Sequence, residues 1–360
     1  MNHKQNLHIH TTYVDVKNTP EELIVEAINK RFDSIGFSEH IYIPYADSPL
    51  GPSVLSCREN MPLRQIIHIY SEIYVMKKTY FLAGVSILFW SSLATISKLL
   101  LGTMNSYQML FVSALFAVAA LIVIMLCTKR MALFKEYSLK DYATMVLIGL
   151  PGTFLYYVFL YAGTARLQAS QAFIINYLWP IMSVVFACIL LKEKLTARKI
   201  IAILLSFLGV VTVAGGELAN FSVDALLGVL FCIGAAVSYG CFTALNQKWH
   251  YDKYMSMMVS FVVASLLSFV INLWVGEPLS LNLLQVGGLA FNGVFILAIA
   301  TVTWALALDS GKTAKVSNLA YITPFVSLVW TFLFLGEPIN PASVLGLVII
   351  VLGIFVQLKG

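Results

Sequence analysis

The stretch Asn176-Tyr177-Leu178-Trp179-Pro180 has a counterpart 144 positions later, in Ala320-Tyr321-Ile322-Thr323-Pro324. In both copies a Tyr-x-x-Pro motif opens an apolar run, a Glu follows the Pro by thirteen residues, and a Gly lies sixteen residues beyond the Glu. Further pairs coincide at this offset without a gap: Ser183 with Ser327, Leu191 with Leu335, Glu193 with Glu337, and Gly209 with Gly353. An ordered series of this kind predicts a chain built from two homologous halves.

The composition places most of the chain in a lipid bilayer. Hydrophobic residues make up 59% of the sequence, charged residues 11%, and the mean hydropathy is +0.83, against averages of about 45–50% and 25% in soluble domains. Basic residues occur in small groups beside apolar runs and form no stripe, which argues against nucleic acid as a partner. The five cysteines follow no disulfide or zinc-binding spacing. We therefore expect an integral membrane protein without a cofactor, in contact with membrane lipid.

Ten apolar runs follow one another from residue 80, each able to hold a membrane-spanning helix of roughly 20 residues. They cover residues 80–97, 104–128, 142–165, 167–191, 200–216, 225–247, 254–276, 278–308, 316–336 and 338–358. The connections alternate in charge: one set, with the two ends, carries fifteen Lys and Arg residues, whereas the opposite set carries only Lys98 and Arg166. By the positive-inside rule both ends of the bundle are predicted to be cytoplasmic.

Two halves of five helices each enter the membrane from opposite sides, because five is an odd number. The sequence therefore predicts inverted repeats, with a substrate site near the middle of the bilayer between them. Pro180 and Pro324 fall inside the fourth and ninth runs, where each removes a backbone hydrogen bond. Such an opening in a membrane is tolerated only against protein or a water-lined cavity. A kink without any ligand role is the alternative reading of each proline.

The residues Phe89-Trp90-Ser91-Ser92 with Lys98, the Asn176–Pro180 stretch and the repeated Pro–Glu–Gly pattern resemble the drug/metabolite transporter superfamily with two EamA repeats. The resemblance covers residues 76–360, and the Asn-Tyr-Leu-Trp-Pro run is similar to the aromatic amino acid exporters. It implies an alternating-access exporter in the plasma or inner membrane, whose substrate is an amino acid with an aromatic or large apolar side chain. An exporter of broader metabolite specificity is the alternative, and a homodimer is left open.

The predicted substrate site lies where the two proline-broken helices face each other, between helices one, three, four, six, eight and nine. The residues assigned to it are Trp90, Tyr157, Asn176, Tyr177, Trp179, Tyr239, Trp304, Tyr321 and Thr323. A structural or gating role is assigned to Lys98, Pro180, Pro324, Glu193 and Glu337. No carboxylate lies in the middle of a run, which disfavours the proton-coupled export of organic cations that a buried Glu supports. Lys98 either binds a substrate carboxylate or extends to the membrane boundary.

The first 45 residues carry a different pattern. A strand over residues 7–13 holds His8 and His10 on one face, a helix begins near Thr19, and a second strand over residues 34–40 ends at His40. This pattern resembles the start of a histidinol phosphatase of the polymerase-and-histidinol-phosphatase superfamily, which would make the three His residues metal ligands. A membrane-tethered phosphatase is thus an alternative function. The family's remaining ligands are missing, so the expected protein is a transporter and not an enzyme.

The expected organisation has four parts. Residues 1–45 form a truncated α/β fragment, residues 46–75 a proline-interrupted connector, and residues 76–217 and 218–360 the two repeats. The fold class is accordingly an all-α membrane protein of ten spans behind an enzyme remnant.

Overall fold

The computed structural model describes residues 8–9, 34–37, 61–218, 222–249, 251–308 and 319–358. The chain divides into two compact units, Met1–Tyr80 and Phe81–Gly360. In the first unit, strand β1 (His8–Ile9) pairs in parallel with β2 (Ser34–Phe37), and β3 (Met61–Pro62) pairs antiparallel with β2. Both β1 and β2 lie inside the predicted strands but are shorter. The helix predicted near Thr19, together with His10 and His40, lies outside the described residues.

Helix α1 corrects the predicted connector. The helix covers Leu63–Leu101, whereas residues 46–75 were expected to be irregular because Pro49, Pro52 and Pro62 interrupt them. The last of these prolines is Pro62, and no Pro or Gly follows until Gly84. Nothing in the sequence therefore breaks a helix over residues 63–75, and the connector ends earlier than predicted.

The remaining helices are labelled in chain order. They are α2 (Ser106–Cys127), α3 (Leu139–Arg166), α4 (Ala169–Leu190), α5 (Ala197–Leu218), α6 (Val223–Lys248), α7 (Lys253–Val275), α8 (Leu283–Phe291, Asn292–Ile299 and Ala300–Leu308), α9 (Ala320–Ile322 and Thr323–Leu335) and α10 (Pro341–Leu358). Among the described residues, eight helices are long and apolar enough to cross a membrane, and they correspond to α1–α8. The chain is thus a multi-pass membrane protein.

The last two helices are shorter than a typical span. Their apolar parts cover Ala320–Leu335 and Pro341–Val356, and about 20 residues are needed to cross the hydrocarbon core at 1.5 Å per residue. Residues 309–318, directly before α9, lie outside the described part of the chain. The count of ten spans therefore stays a prediction.

Helix ends are fixed at equivalent places in the two halves. Backbone in the left-handed region follows α2 at Lys129 (φ 56°) and α7 at Gly276 (φ 73°), and it follows α4 at Lys192 (φ 57°) and α9 at Gly336 (φ 66°). A left-handed residue just past the last turn lets the final helical carbonyls find donors, and glycine adopts this conformation most easily. Each half therefore ends its second and fourth helices by the same device.

Helices α2 and α7 pack antiparallel, with reciprocal contacts at their two ends. Asn105 caps the start of α2 and donates to the carboxylate of Glu277, which follows the end of α7. At the opposite end Asp252 caps the start of α7 and pairs with Arg130, which follows the end of α2. In each half, the residue that caps the second helix thus contacts a residue of the other half, as expected for contacts across a two-fold axis.

Glycines bring other helices of the two halves into the same reciprocal arrangement. A Cβ added at Gly209 of α5 would lie 2.6 Å from the Gly346 carbonyl oxygen of α10, and one added at Gly353 of α10 would lie 2.9 Å from the Ala202 carbonyl oxygen of α5. Since Gly209 corresponds to Gly353 and Ala202 to Gly346, the two contacts are the same contact seen from either half. The absence of side chains allows the backbones to approach closely within the membrane.

Candidate functional site

Helices α4 and α9 are both interrupted at the repeated proline. In α4 the segment Ala169–Asn176 ends, Tyr177 and Leu178 form a turn, and Trp179–Leu190 begins a new helix with Pro180 in its first turn. In α9 the 3-10 segment Ala320–Ile322 precedes Thr323–Leu335, with Pro324 in the first turn. Proline suits the first turn of a helix, because the N–H groups of that turn have no acceptor within the helix and the missing N–H of proline is not needed. The regular α-helical hydrogen bonding is therefore interrupted before both prolines, by a turn in α4 and by a 3-10 segment in α9.

The two interruptions meet in the structure. The Tyr177 hydroxyl of α4 donates a hydrogen bond to the carbonyl oxygen of Ala320 in α9. The third helices of the two halves are also irregular at corresponding positions in the sequence. Helix α3 contains a π-helix at Pro151–Leu155, and α8 contains one at Asn292–Ile299. Segments of π-helix occur frequently at functional sites.

A cavity of about 50 Å³ lies beside this meeting point. Seven of the nine residues assigned to the substrate site line it: Trp90, Tyr157, Asn176, Tyr177, Trp179, Tyr239 and Thr323. Leu93, Gly152, Tyr156, Phe173, Met257, Thr301 and Ala320 complete the lining. Ligand pockets usually measure about 300–1,000 Å³. In this conformation the cavity is therefore contracted, and a substrate the size of an amino acid requires its walls to separate.

Tyrosine and tryptophan rings form most of the cavity wall. Tyr239 of α6 is the centre of the cluster: its ring centroid lies 4.8 Å from that of Tyr156 and 5.1 Å from that of Trp179, the latter pair edge to face at 86°. On the opposite side Trp90 of α1 packs against Trp304 of α8 at 5.4 Å. Rings at these separations attract each other in tilted and edge-on geometries.

Asn176 supplies an amide inside this aromatic wall. It is 2% exposed, its Nδ2 donates to the Tyr156 hydroxyl at 3.1 Å, and its Oδ1 has no hydrogen-bond partner. A buried acceptor without a partner costs free energy, which a donor on a bound molecule would recover. Among the described residues that line the cavity there is no Lys, Arg, His, Asp or Glu. The site thus offers neutral polar groups and aromatic faces.

Two residues assigned to the site lie elsewhere. The ring of Tyr321 packs against Phe355 of α10 at 5.8 Å, and Tyr321 is not part of the cavity lining. Trp304 packs against Trp90, which lines the cavity, but is not itself part of the lining. Tyr156, a deep aromatic residue that the sequence makes a cavity candidate but that is not among the nine assigned residues, accepts the hydrogen bond from the Asn176 amide. Its position beside Tyr157 in a long apolar run was the only available signal.

Lys98 and Glu337 hold opposite ends of the connection between α3 and α4. The Lys98 ammonium donates to the carbonyls of Thr164 at 2.9 Å and Leu167 at 2.5 Å, at the end of α3. A cation is favourable there because helix C-termini carry partial negative charge. Lys98 thus contacts the protein's own carbonyls in this conformation.

Glu337 caps the start of α4 from the other half of the chain. Its carboxylate accepts hydrogen bonds from the Ala169 and Ser170 amides at 2.7 and 3.0 Å, and from the Ser170 hydroxyl at 2.8 Å. Its counterpart Glu193 instead pairs with Lys199 of its own half at 2.9 Å. The two glutamates occupy equivalent sequence positions but make different contacts, so the pseudo-symmetry is broken at these two connections.

The predicted metal site cannot be followed in the structure. His10 and His40 lie outside the described residues, and the structure describes the backbone of His8 alone, in β1. Within the described ranges, no three His, Cys, Asp or Glu residues are grouped so that they could hold a metal ion.

Comparison with known proteins decides the family. The model of the EamA-like transporter family matches residues 77–215 and again residues 226–358. The chain belongs to the EamA-like transporter family. It is therefore a membrane transporter and not an enzyme, which removes the membrane-tethered phosphatase as an alternative. The two matches lie one in each half of the duplicated sequence.

The relatives of this EamA-like transporter include several whose substrate is not stated. An uncharacterized transporter of Clostridium kluyveri is 24% identical over 288 residues, covering 77% of this chain and 92% of that protein. The aromatic amino acid exporter YddG of Salmonella typhimurium is 24% identical, covering 54% of this chain and 68% of the exporter. A probable terminal-alkyne amino-acid exporter of Streptantibioticus cattleyicolor is 27% identical, covering 58% and 70%.

Proposed function

We propose that this transporter exports amino acids with aromatic or large apolar side chains by alternating access at the cavity between α4 and α9. The observation that carries the proposal is a cavity wall of Trp and Tyr rings around a single amide acceptor, Asn176 Oδ1. Two relatives named as amino acid exporters support the same substrate class.

The charge of the cavity favours a zwitterion or a neutral molecule. An isolated charge at membrane depth is costly, and the lining residues offer no opposite charge to balance it. A zwitterion brings its own balancing charge. Its ammonium group fits the faces of aromatic rings through cation–π attraction and the Oδ1 acceptor of Asn176, while the Thr301 and Thr323 side chains carry hydroxyl donors for its carboxylate.

Alternating access in our proposal follows from two inverted repeats, residues 76–217 and 218–360, with both ends of the bundle cytoplasmic. The reciprocal contacts of α2 with α7 and of α5 with α10 support the inversion. Cysteines introduced near Glu217 and Pro341 should then react with an impermeant thiol reagent added outside, and cysteines near Lys194 and Lys312 should not. The reverse labelling pattern would contradict both the orientation and the inverted repeats.

Trp179→Ala should weaken apparent affinity for aromatic amino acids about two- to tenfold. The substitution removes one stacking wall, worth about 0.5–1.5 kcal/mol, and 1.4 kcal/mol corresponds to a factor of ten. Small aliphatic amino acids should be less affected because they make no stacking contact. The measurement is uptake and counterflow in proteoliposomes of purified protein, at matched reconstitution, with phenylalanine and alanine compared.

Two further aromatic positions serve as controls for this experiment. Tyr321 packs on Phe355 away from the cavity, and Phe332 is 52% exposed on α9. Ala at either position should leave the ratio of aromatic to aliphatic transport unchanged. Equal effects of all three substitutions would mean that these rings only pack the bundle, and the proposal would then be replaced by the broader metabolite exporter.

A further inference from the structure

A second cavity, larger than the central one, opens sideways between α1 and helices α8 and α9. This lateral groove has a volume of about 320 Å³. Its lining residues are Leu88, Phe89, Ser92, Thr95, Ile96 and Leu99 of α1, Phe291 of α8, and Trp330 and Phe334 of α9. Only apolar atoms face it. The Ser92 hydroxyl is turned toward the Phe89 carbonyl at 2.7 Å, and the Trp330 indole donates to the Ser91 hydroxyl at 3.0 Å.

The first helix of the other half packs more closely against its neighbours. The counterpart of α1 is α6, whose glycines lie directly against α3 and α4: a Cβ added at Gly240 would be 2.5 Å from that of Met182, and one added at Gly228 would be 2.8 Å from Leu167. Among the described residues, a Cβ added at Gly84 of α1, the counterpart of Gly228, would meet nothing within 4 Å. The first helices of the two halves therefore differ in how closely they pack.

The mouth of the groove faces the hydrocarbon of the membrane. Leu88, Leu99 and Phe334 are 49%, 53% and 62% exposed, and all three lie within apolar helical segments of a multi-pass membrane protein. Water does not occupy a cavity that offers it no polar partner. An empty apolar cavity costs free energy in proportion to its volume. The groove therefore suits a hydrocarbon chain, and the surrounding bilayer contains such chains in its lipids.

We propose that the lateral groove is a binding site for one acyl chain of a membrane phospholipid. The chain lies between Phe89 on one side and Trp330 and Phe334 on the other, and so separates the first helix of one repeat from two helices of the other. If α1 moves against α8 and α9 during transport, the acyl chain has to leave, which couples the transporter to the surrounding lipid.

The test is photolabelling of the full chain in vesicles that contain phosphatidylcholine with a diazirine on its acyl chain. We expect label on Ile96 and Phe291, whose half-buried side chains line the groove, as well as on the openly exposed Leu266 of α7. Leu88→Trp, which fills the groove, should lower labelling of Ile96 and Phe291 severalfold. The matched substitution Leu266→Trp, at a position that is 59% exposed away from the groove, should not.

Label at Leu266 and Leu88 without label at Ile96 and Phe291 would overturn the proposal, and the unmodified chain alone decides this point if a variant fails to fold. A photoreactive phenylalanine provides a second decision. Label from this probe on Ile96 and Phe291, in place of the lipid label, would show that the groove admits substrate and not lipid.

Discussion

Glu337→Gln is expected to slow transport about tenfold or more while leaving the order of substrate preference unchanged. The Glu337 carboxylate accepts three hydrogen bonds at the start of α4, and bonds to a charged group contribute about 1.5–3 kcal/mol each. Glutamine retains one acceptor oxygen but loses the charge that favours a helix N-terminus. Losing even one such bond shifts the equilibrium between the closed and open arrangements of the α3–α4 connection by about tenfold.

The measurement combines counterflow in proteoliposomes with thiol accessibility. A cysteine replacing Gln168, beside the capped amides, should react faster in the Glu337→Gln background because the connection opens more often. Glu277→Gln is the matched control: Glu277 also lies in a connection and also accepts from a side chain of the other half, Asn105, but it does not cap α4. Its effect on the reactivity at position 168 should be small.

Glu193→Gln tests whether the two glutamates have the same role. In this conformation Glu193 forms only a half-exposed ion pair with Lys199, and pairs of this kind contribute about 0–1 kcal/mol. We expect a lower transport rate or protein level here too, with substrate preference unchanged, since neither glutamate lines the cavity. A changed substrate spectrum in either variant would contradict the gating role.

The repeat and the helix interruptions are predictable from the sequence because each depends on local chemistry. Proline cannot donate a backbone hydrogen bond wherever it is placed, so Pro180 and Pro324 mark the breaks directly. The 144-residue offset then pairs the two breaks, and the structure brings them together at the Tyr177–Ala320 contact. The residues next to the break in α4 line the cavity beside this contact.

The positions of Tyr321 and Tyr156 depend on information that the sequence does not carry. The offset assigns Tyr321 the role of Tyr177, but the two halves adopt different arrangements in any one conformation, and Tyr321 packs on α10. In α3 the π-helix at Pro151–Leu155 has a wider turn than an α-helix. The residues that follow it therefore face the cavity at positions that a regular α-helix would not give. A helical period of 3.6 cannot predict which of Tyr156 and Tyr157 holds Asn176.

The cap that Glu337 places on α4 illustrates a second limit. The sequence indicates a glutamate at the end of each repeated helix, but not which helix end it meets. That partner lies 168 residues away, at Ala169, and is set by how the two halves pack. Glu193, with the same local sequence signal, binds Lys199 six residues along the chain. Identical local patterns thus lead to different contacts, because tertiary packing selects among the donors within reach.

Asn176→Leu should have the largest effect on substrate affinity, about 10- to 100-fold for amino acids. The substitution removes the unpartnered Oδ1 acceptor from the cavity, and a hydrogen bond to an ammonium group is worth about 1.5–3 kcal/mol. It also leaves the Tyr156 hydroxyl without the amide that donates to it. Tyr156→Phe should therefore have a smaller effect, because it removes the support of the amide but not the amide itself.

A second buried asparagine provides the control. Asn292 of α8 is fully buried, donates to Ser113 and Tyr161 at 3.0 and 2.9 Å, and likewise has an unpartnered Oδ1, but it does not line the cavity. Asn292→Leu should lower thermal stability or protein level without a selective loss of affinity. Binding is measured on the purified protein as protection against thermal unfolding by phenylalanine, and transport as counterflow.

Asn176→Asp gives the sharpest version of this prediction, because it changes the charge of the site and keeps its size. A carboxylate among the aromatic rings balances a cation, so phenylethylamine, which has the ammonium group but no carboxylate, should gain transport relative to phenylalanine. The zwitterion then adds a second negative charge to the same low-dielectric site, where like charges repel strongly. If Asp and Leu at position 176 reduce both substrates alike, Asn176 does not contact the ammonium group, and the cavity selects its substrate through the aromatic walls alone.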